Sequence, residues 1–248
     1  MKFKEQYSAP KNLLENKTIL VTGAGDGIGK VVATTAAKYG ASVILLGKTV
    51  RKLEKVYDLI NKEGSAKCFI YPLHLEGATP NDYQELGNVL ESEFGKLDGL
   101  IHNAALLPYL SRIKDYEPDD WMRVMQVNLN GPMLLTQACY DLLLKSENSN
   151  VIFTADHQAT AKRPFWGAYG VSKGAIENLA FILAKEVEGT NIKVNLVDPG
   201  PTLTTLRKNI FPGQNNQDLT KPEDLSSMYL WLLGGEGSLL NGEYISFQ

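Results

Sequence analysis

A chain of 248 residues with 25 Lys and Arg against 28 Asp and Glu, a formal net charge of −3, can bury one large core and shows no basic excess for nucleic acid or an anionic membrane. No Pro- or Ser-rich linker divides it and no run of eighteen apolar residues occurs, so the sequence predicts one domain, residues 1–248, cytoplasmic and without a membrane partner. The start has no apolar signal region, and Cys68 and Cys139 each lie in an apolar segment, as reduced, buried thiols do.

Residues 1–16, with Pro10 in a polar run, read as an extended arm packing over the first strand. Thr18 to Val21 suits a buried strand, and Ile28, Val31, Val32 and Ala36 then recur at helical spacing. Between them G-A-G-D-G-I-G, Gly23 to Gly29, sits at a strand-to-helix junction, where free N–H groups and the helix dipole favour a pyrophosphate. Gly23, Gly27 and Gly29 let a phosphate and the neighbouring strand approach. The spacing is G-x-x-x-G-x-G, so a plain tight turn is the alternative to a dinucleotide site. Gly40 ends the helix, and Ser42 to Leu46 makes a second strand. Its tip, Gly47-Lys48-Thr49, lacks the carboxylate that would hold the ribose hydroxyls of NAD(H), while Lys48 supplies a cation for the extra phosphate of NADP(H). NADP(H) is therefore the expected cofactor and NAD(H) the second. In the alternative reading Lys48, like Arg51, Lys52 and Lys55, is solvated surface charge.

The alternation continues with a helix over 52–62, a strand over 68–71, a helix over 80–94 and a strand over 97–102. With right-handed crossovers this predicts an α/β, doubly wound, three-layer fold around a mostly parallel, seven-stranded sheet whose ligands bind at the carboxyl ends of the strands. His74, His102 and His157 are scattered, so no metal site is expected. A long apolar helix, 118–145, is interrupted by N-L-N-G-P at Asn128 to Pro132; Asn128 is either a hydrogen-bonder that kinks the helix or part of a site. A strand over 151–155 leads to a polar loop with Asp156, His157 and Arg163. On the next helix, opening near Phe165, Tyr169 and Lys173 stand four apart on one face, where an ammonium lowers a phenol's pKa and readies it for proton transfer. The apolar stretches 133–144 and 175–187 exceed what a one-sided helix needs, which suits a homodimer or homotetramer. A last strand over 192–197 runs into Asp198-Pro199-Gly200.

Five motifs in this order resemble the short-chain dehydrogenase/reductases: T-G-A-G-D-G-I-G at Thr22 to Gly29, H-N-A-A at His102 to Ala105, N-L-N-G at Asn128 to Gly131, Y-G-V-S-K at Tyr169 to Lys173 and D-P-G-P-T at Asp198 to Thr202. The arm, the L-L-G-K tip, W-G-A-Y and the Phe-Gln ending are similar to a bacterial, NADP-type reductase subgroup of unassigned substrate. The resemblance implies that Tyr169 is the acid/base, that Lys173 lowers its pKa and bonds the nicotinamide ribose, and that Asn128 holds a water in the proton relay. It further implies a cofactor bound along Gly23, Gly25, Asp26, Gly27, Ile28, Gly29, Lys48, His74, Leu75, Asn103, Ala104 and Ala105, with Pro199, Gly200 and Thr202 at the nicotinamide and residues 203–218 covering a small carbonyl or alcohol substrate.

Four positions depart from the family pattern. Ala105 replaces a glycine beside the cofactor, His74 replaces an adenine-binding Asp, and Asp26 puts a negative charge in the glycine loop. Asp156 replaces the substrate-orienting Ser, and an ionised carboxylate cannot donate to the oxygen being reduced, with Thr154 and Thr160 as substitutes within reach in the sequence. The chain is thus expected to be an oxidoreductase passing hydride between a nicotinamide and a carbonyl or secondary alcohol, or, alternatively, a nucleotide-binding protein with attenuated or lost catalysis.

Overall fold

The computed structural model describes residues 1–3, 7–64 and 67–247, so positions 4–6 of the arm and the terminal Gln248 fall outside the described residues. In chain order the elements are β1 (Thr18–Thr22), α1 (Gly27–Lys38), β2 (Ser42–Gly47), α2 (Val50–Glu63), β3 (Cys68–Pro72), α3 (Pro80–Phe94), β4 (Gly99–His102), α4 (Pro118–Met125), α5 (Gly131–Leu144), β5 (Ser149–Thr154), α6 (His157–Thr160), α7 (Gly167–Glu186), β6 (Ile192–Asp198), α8 (Thr205–Ile210), α9 (Ser226–Gly234) and β7 (Tyr244–Ser246). The strands form one sheet in the order β3-β2-β1-β4-β5-β6-β7, and all six pairings are parallel. β1 and β4 lie side by side although two strands and three helices separate them in sequence, so the winding reverses there and opens a crevice at their carboxyl ends.

The strands alternate their side chains between two cores, as period-two geometry demands. Ile19, Val21, Val43, Leu45, Ile101, Ile152 and Val197 pack with Val32, Ala33 and Ala36 of α1 and Met228, Leu232 and Leu233 of α9. Leu20, Ile44, Leu46, Leu100, Val151, Phe153 and Leu196 face the other way, onto α3, α5 and α7 through Leu86, Leu90, Leu135, Leu142, Ile176 and Ala180. Each fully buried aliphatic side chain contributes about 1.5–3 kcal/mol, which explains why nearly continuous apolar runs, and not alternating ones, mark these strands. A third, smaller cluster of Leu107, Tyr116, Val124, Ala159, Trp166, Ala168 and Tyr169 lies beyond the carboxyl ends of β4 and β5.

Three expectations needed adjustment. The helix over 118–145 is broken into α4 and α5 by a π-helical turn, Gln126–Asn130, in which Asn128 is buried. α6, four residues long, was too short for its periodicity to be read, and its N-cap is Asp156, whose carboxylate accepts from Ala159 N at 3.2 Å. The arm covers more than the first strand: Leu14 packs in the α1 core, whereas Phe3 N donates to Ser246 O at 2.9 Å and Lys2 bridges Ser246 in parallel, so the chain start extends the β7 edge. Among the described residues no helix is long and apolar enough to cross a membrane, and no three His, Cys, Asp or Glu side chains gather as a metal site would require. Cys68 and Cys139 are free and buried, and burial pushes the Cys139 thiol up to about 12.

Candidate active site

A cavity of about 500 Å³ occupies the crevice at the carboxyl ends of the strands. Its floor is the turn after β1. Gly23 has φ +66°, a left-handed conformation, and a Cβ there would stand 3.1 Å from Ala104 Cα. Gly29 does not line the cavity; it is buried beneath it, where a Cβ would collide with Gly23 O and Asn103 Nδ2. These two glycines therefore let α1 and the loop after β4 close on the turn, and Thr22 fixes that closure by accepting from the Asn103 and Ala104 amides, each at 3.0 Å. Asn103 Nδ2 donates back to Thr22 O at 3.2 Å, which ties the loop after β4 to β1.

At one end of the cavity Lys48, Lys52, His74 and Leu75 line the wall with Asp26. Asp26 caps α1 through Gly27 N (2.7 Å) and pairs with Lys52 Nζ (2.6 Å) and Thr205 Oγ1 (3.1 Å). Although partial burial raises its pKa, the bonds from Lys52, Gly27 and Thr205 outweigh that and hold the carboxyl below its ordinary range, with Lys52 as counter-charge. Lys52 was one of the residues that a sequence assigns to solvated surface, and only the return of α2 against the glycine turn reveals its partner. His74 is exposed, with Nε2 3.9 Å from Glu76, and Glu76 itself is bonded by Arg123 at 2.7 Å. Lys48 is exposed on the tip of β2.

At the other end α7 delivers Tyr169 and Lys173 from one face, both buried. Tyr169 Oη donates to Asp156 Oδ2 at 3.1 Å, so the Ser-position carboxylate points at the phenol. Lys173 Nζ donates to Thr154 O at 2.6 Å and lies 5.6 Å from the Tyr169 ring centroid. The lowering of the phenol's pKa expected from Lys173 is reversed in this arrangement: burial and then the Asp156 carboxylate hold Tyr169 well above its ordinary value, against a weaker pull from Arg207. Burial also lowers the Lys173 pKa.

Asn128 is buried behind the cavity and does not line it. Its Oδ1 accepts from Leu106 N (2.7 Å), and its Nδ2 donates to Leu106 O (3.0 Å) and Ser172 Oγ (3.0 Å). These bonds are those of a structural hydrogen-bonder: the residue of the π turn clamps the loop after β4 to the helix that carries Tyr169. Of the two threonines, Thr154 lines the cavity, whereas the Thr160 hydroxyl turns back to the carbonyls of Asp156 and His157, both at 3.4 Å. Gly25, Gly27, Ile28, Asn103, Ala104, Ala105, Pro199, Gly200 and Thr202 all line the cavity.

Segment 203–218 closes the remaining side through α8, with Thr204, Leu206, Arg207, Ile210 and Phe211 facing Trp166, Leu107 and Gln158. The sequence showed this segment only as polar and proline-containing. Its apolar contacts become visible because α8, only six residues long, lays them against Trp166, whose ring is 6.1 Å from that of Phe211. A left-handed glycine turn without Cβ atoms, a helix N-terminus behind it, a cationic rim and a buried Tyr-Lys pair are together the donor set that a dinucleotide with a reacting nicotinamide requires.

Comparison with known proteins agrees. The family model for short chain dehydrogenases matches residues 17–215. The uncharacterized oxidoreductase YciK of Escherichia coli (strain K12) is 39% identical over 236 residues, which cover 95% of this chain and 93% of that protein. Among solved structures, a short chain dehydrogenase of Shigella flexneri 2a str. 301 complexed with NADP superimposes with a TM-score of 0.92 at 38% identity, over 96% of this chain and 99% of that one. One from Escherichia coli CFT073 complexed with NADPH gives 0.91 at 40% identity, over 96% and 99%.

Proposed function

The chain belongs to the short chain dehydrogenase family, and from that premise we propose that it is an NADP(H)-dependent oxidoreductase acting between a carbonyl and a secondary alcohol, with Tyr169 as its acid/base. The observation that carries the proposal is the Tyr169–Lys173 pair, buried at the end of a cavity whose other end is the glycine turn. The bound nicotinamide supplies or accepts the hydride. Tyr169 Oη gives its proton to the substrate oxygen in reduction and takes it back in oxidation. Lys173, anchored on Thr154 O, keeps a positive charge beneath the phenol and offers its other N–H groups to the cofactor ribose. Asn128 acts at one remove, by fixing the loop of Leu106 against α7.

Preference for NADP(H) is supported by Lys48, by the absence of a carboxylate at the tip of β2, by the pairing of Asp26 with Lys52, and by the cofactors of the two solved relatives. Exposed Met133, Leu144, Phe181 and Ile182 on α5 and α7 support assembly as a homodimer or homotetramer, which light scattering at micromolar concentration checks.

One observation favours a second reading, a nucleotide-binding protein of attenuated turnover: the Tyr169 proton is directed at Asp156 and not at open cavity. Turnover of a carbonyl panel with NADPH, beside calorimetric NADPH binding, separates the two. Oxidation of NADPH that Tyr169→Phe reduces by about 10²- to 10⁴-fold supports the enzyme. Tight NADPH binding with no turnover across the panel leaves the binding protein, and full activity of Tyr169→Phe removes Tyr169 as the acid/base.

A further inference from the structure

The wall opposite Tyr169 holds a guanidinium that the oxidoreductase reading does not use. Arg207, half-buried on α8, lines the cavity and lies flat on Phe211, its Cζ 4.3 Å from the ring centroid. Two neutral amides hold it: Nε donates to Gln214 Oε1 at 2.8 Å and Nη1 to Gln158 Oε1 at 2.8 Å. Among the described residues it has no carboxylate within ion-pair distance, and Nη2 has no partner. A cation so fixed has lost side-chain freedom while meeting only neutral partners, and its Nη2 N–H groups remain to donate to a carboxylate.

Asp156 does not already fill this role. It lies outside ion-pair distance, with Oδ1 accepting from Ala159 N and Oδ2 from Tyr169 Oη, and acts on Arg207 only through space. Around the guanidinium, Leu107, Trp166, Leu206, Ile210 and Phe211 form an apolar wall suited to a carbon chain.

We infer that the substrate is an oxo-acid or hydroxy-acid, whose carboxylate is held by Arg207 through Nη2 while its carbonyl or hydroxyl oxygen faces Tyr169. This assignment rests on the oxidoreductase reading above.

The test compares 2-oxohexanoate, 4-oxopentanoate and 5-oxohexanoate with their methyl esters, using the full chain and NADPH. At least one acid is expected to exceed its ester in kcat/KM by tenfold or more. Arg207→Gln should abolish that ratio through a rise in KM for the acid, and Arg207→Lys should restore part of it. Calorimetric titration of each acid and ester into the protein saturated with NADP+ reads the same site without turnover; the acid alone should bind, and Arg207→Gln should lose it. If no carbonyl is turned over but the acid binds through Arg207, the enzyme reading fails and the carboxylate site stands. Equal kinetics and equal binding of acids and esters, a preference for amino-bearing ketones, or an acid preference untouched in Arg207→Gln overturns the inference.

Discussion

Replacing Asp156 by Ser tests the departure on which turnover depends most. In the structure the carboxylate accepts a hydrogen bond from Tyr169 Oη at 3.1 Å and, after burial, is the main reason that the phenol holds its proton so firmly. Ser puts a neutral hydroxyl there, which can donate to the substrate oxygen and no longer repels the charge developing on it. One such donor is worth about 2.7–4 kcal/mol, so kcat for reduction should rise by up to roughly a hundred- to a thousandfold. The phenol's pKa falls with the carboxylate gone, and a group that acts as acid is then lost at lower pH, so the alkaline limb of the reduction profile should move down; in oxidation, where the phenolate is needed, the rising limb moves the same way. The cost is the α6 cap, which Ser also supplies, so folding should change little. The assay is kcat and kcat/KM against pH with NADPH in the unmutated protein, Asp156→Ser and Asp156→Asn, after matched cofactor binding. A drop in kcat with Asp156→Ser on every substrate, with both limbs unmoved, refutes the reasoning and makes the carboxylate itself part of the chemistry.

Three further outcomes are expected elsewhere. Lys48→Ala should weaken NADPH binding more than NADH binding, toward the low end of the roughly 1.5–3 kcal/mol of a charge-assisted bond because Lys48 is exposed, and added salt should shrink the difference; equal losses for both cofactors would count against it. Gly29→Ala adds a good helix former to α1 but drives a Cβ into Gly23 O, a backbone atom that cannot rotate away, so we expect a net loss of about 1–3 kcal/mol in thermal unfolding together with weaker cofactor binding. His102 is buried and neutral, its pKa lowered by burial to about 3, and its Nε2 donates to Thr136 Oγ1 because the Thr136 proton goes to Pro132 O. The unfolded histidine takes up a proton near pH 6.5 and the folded one does not, so His102 weakens the fold progressively as pH falls from about 6.5 toward 3, by up to ~1.4 kcal/mol per pH unit; His102→Leu should flatten that part of the urea-unfolding profile.

The sheet was legible in the sequence because burial on both faces leaves continuous Val, Ile and Leu runs, and the glycine turn because φ +66° with Ala104 Cα 3.1 Å from a Cβ position strongly favours glycine. Tyr169 and Lys173 were legible because four-residue spacing fixes a shared helix face. What stayed hidden depends on contacts between residues far apart in the chain. Lys52 pairs with Asp26 across 26 residues, and Arg207 meets Gln158 across 49, neither of which a local pattern can encode. Asn128 was ambiguous for the same reason, since its three bonds reach Leu106 and Ser172, 22 and 44 residues away.

The two charges that flank Tyr169 act on it in opposite directions, and their balance links proton transfer to substrate binding. Asp156 strengthens the phenol's hold on its proton and Arg207 weakens it, while Asp156 in turn favours the charged form of Arg207. A carboxylate seated on Arg207 would offset the cation's pull and tighten the phenol's hold on its proton further. Removing Arg207 should therefore raise the alkaline limb where removing Asp156 lowers it. The double-mutant cycle of Asp156→Ser and Arg207→Gln, read as kcat/KM for reduction of an oxo-acid, should then give a coupling of about 0.5–3 kcal/mol, as groups sharing one electrostatic network do. The same cycle on the methyl ester should give a smaller coupling, because no carboxylate completes the network. Additivity within about 0.3–0.5 kcal/mol on both substrates would mean that Arg207 and Asp156 act separately, and that α8 contributes only a wall.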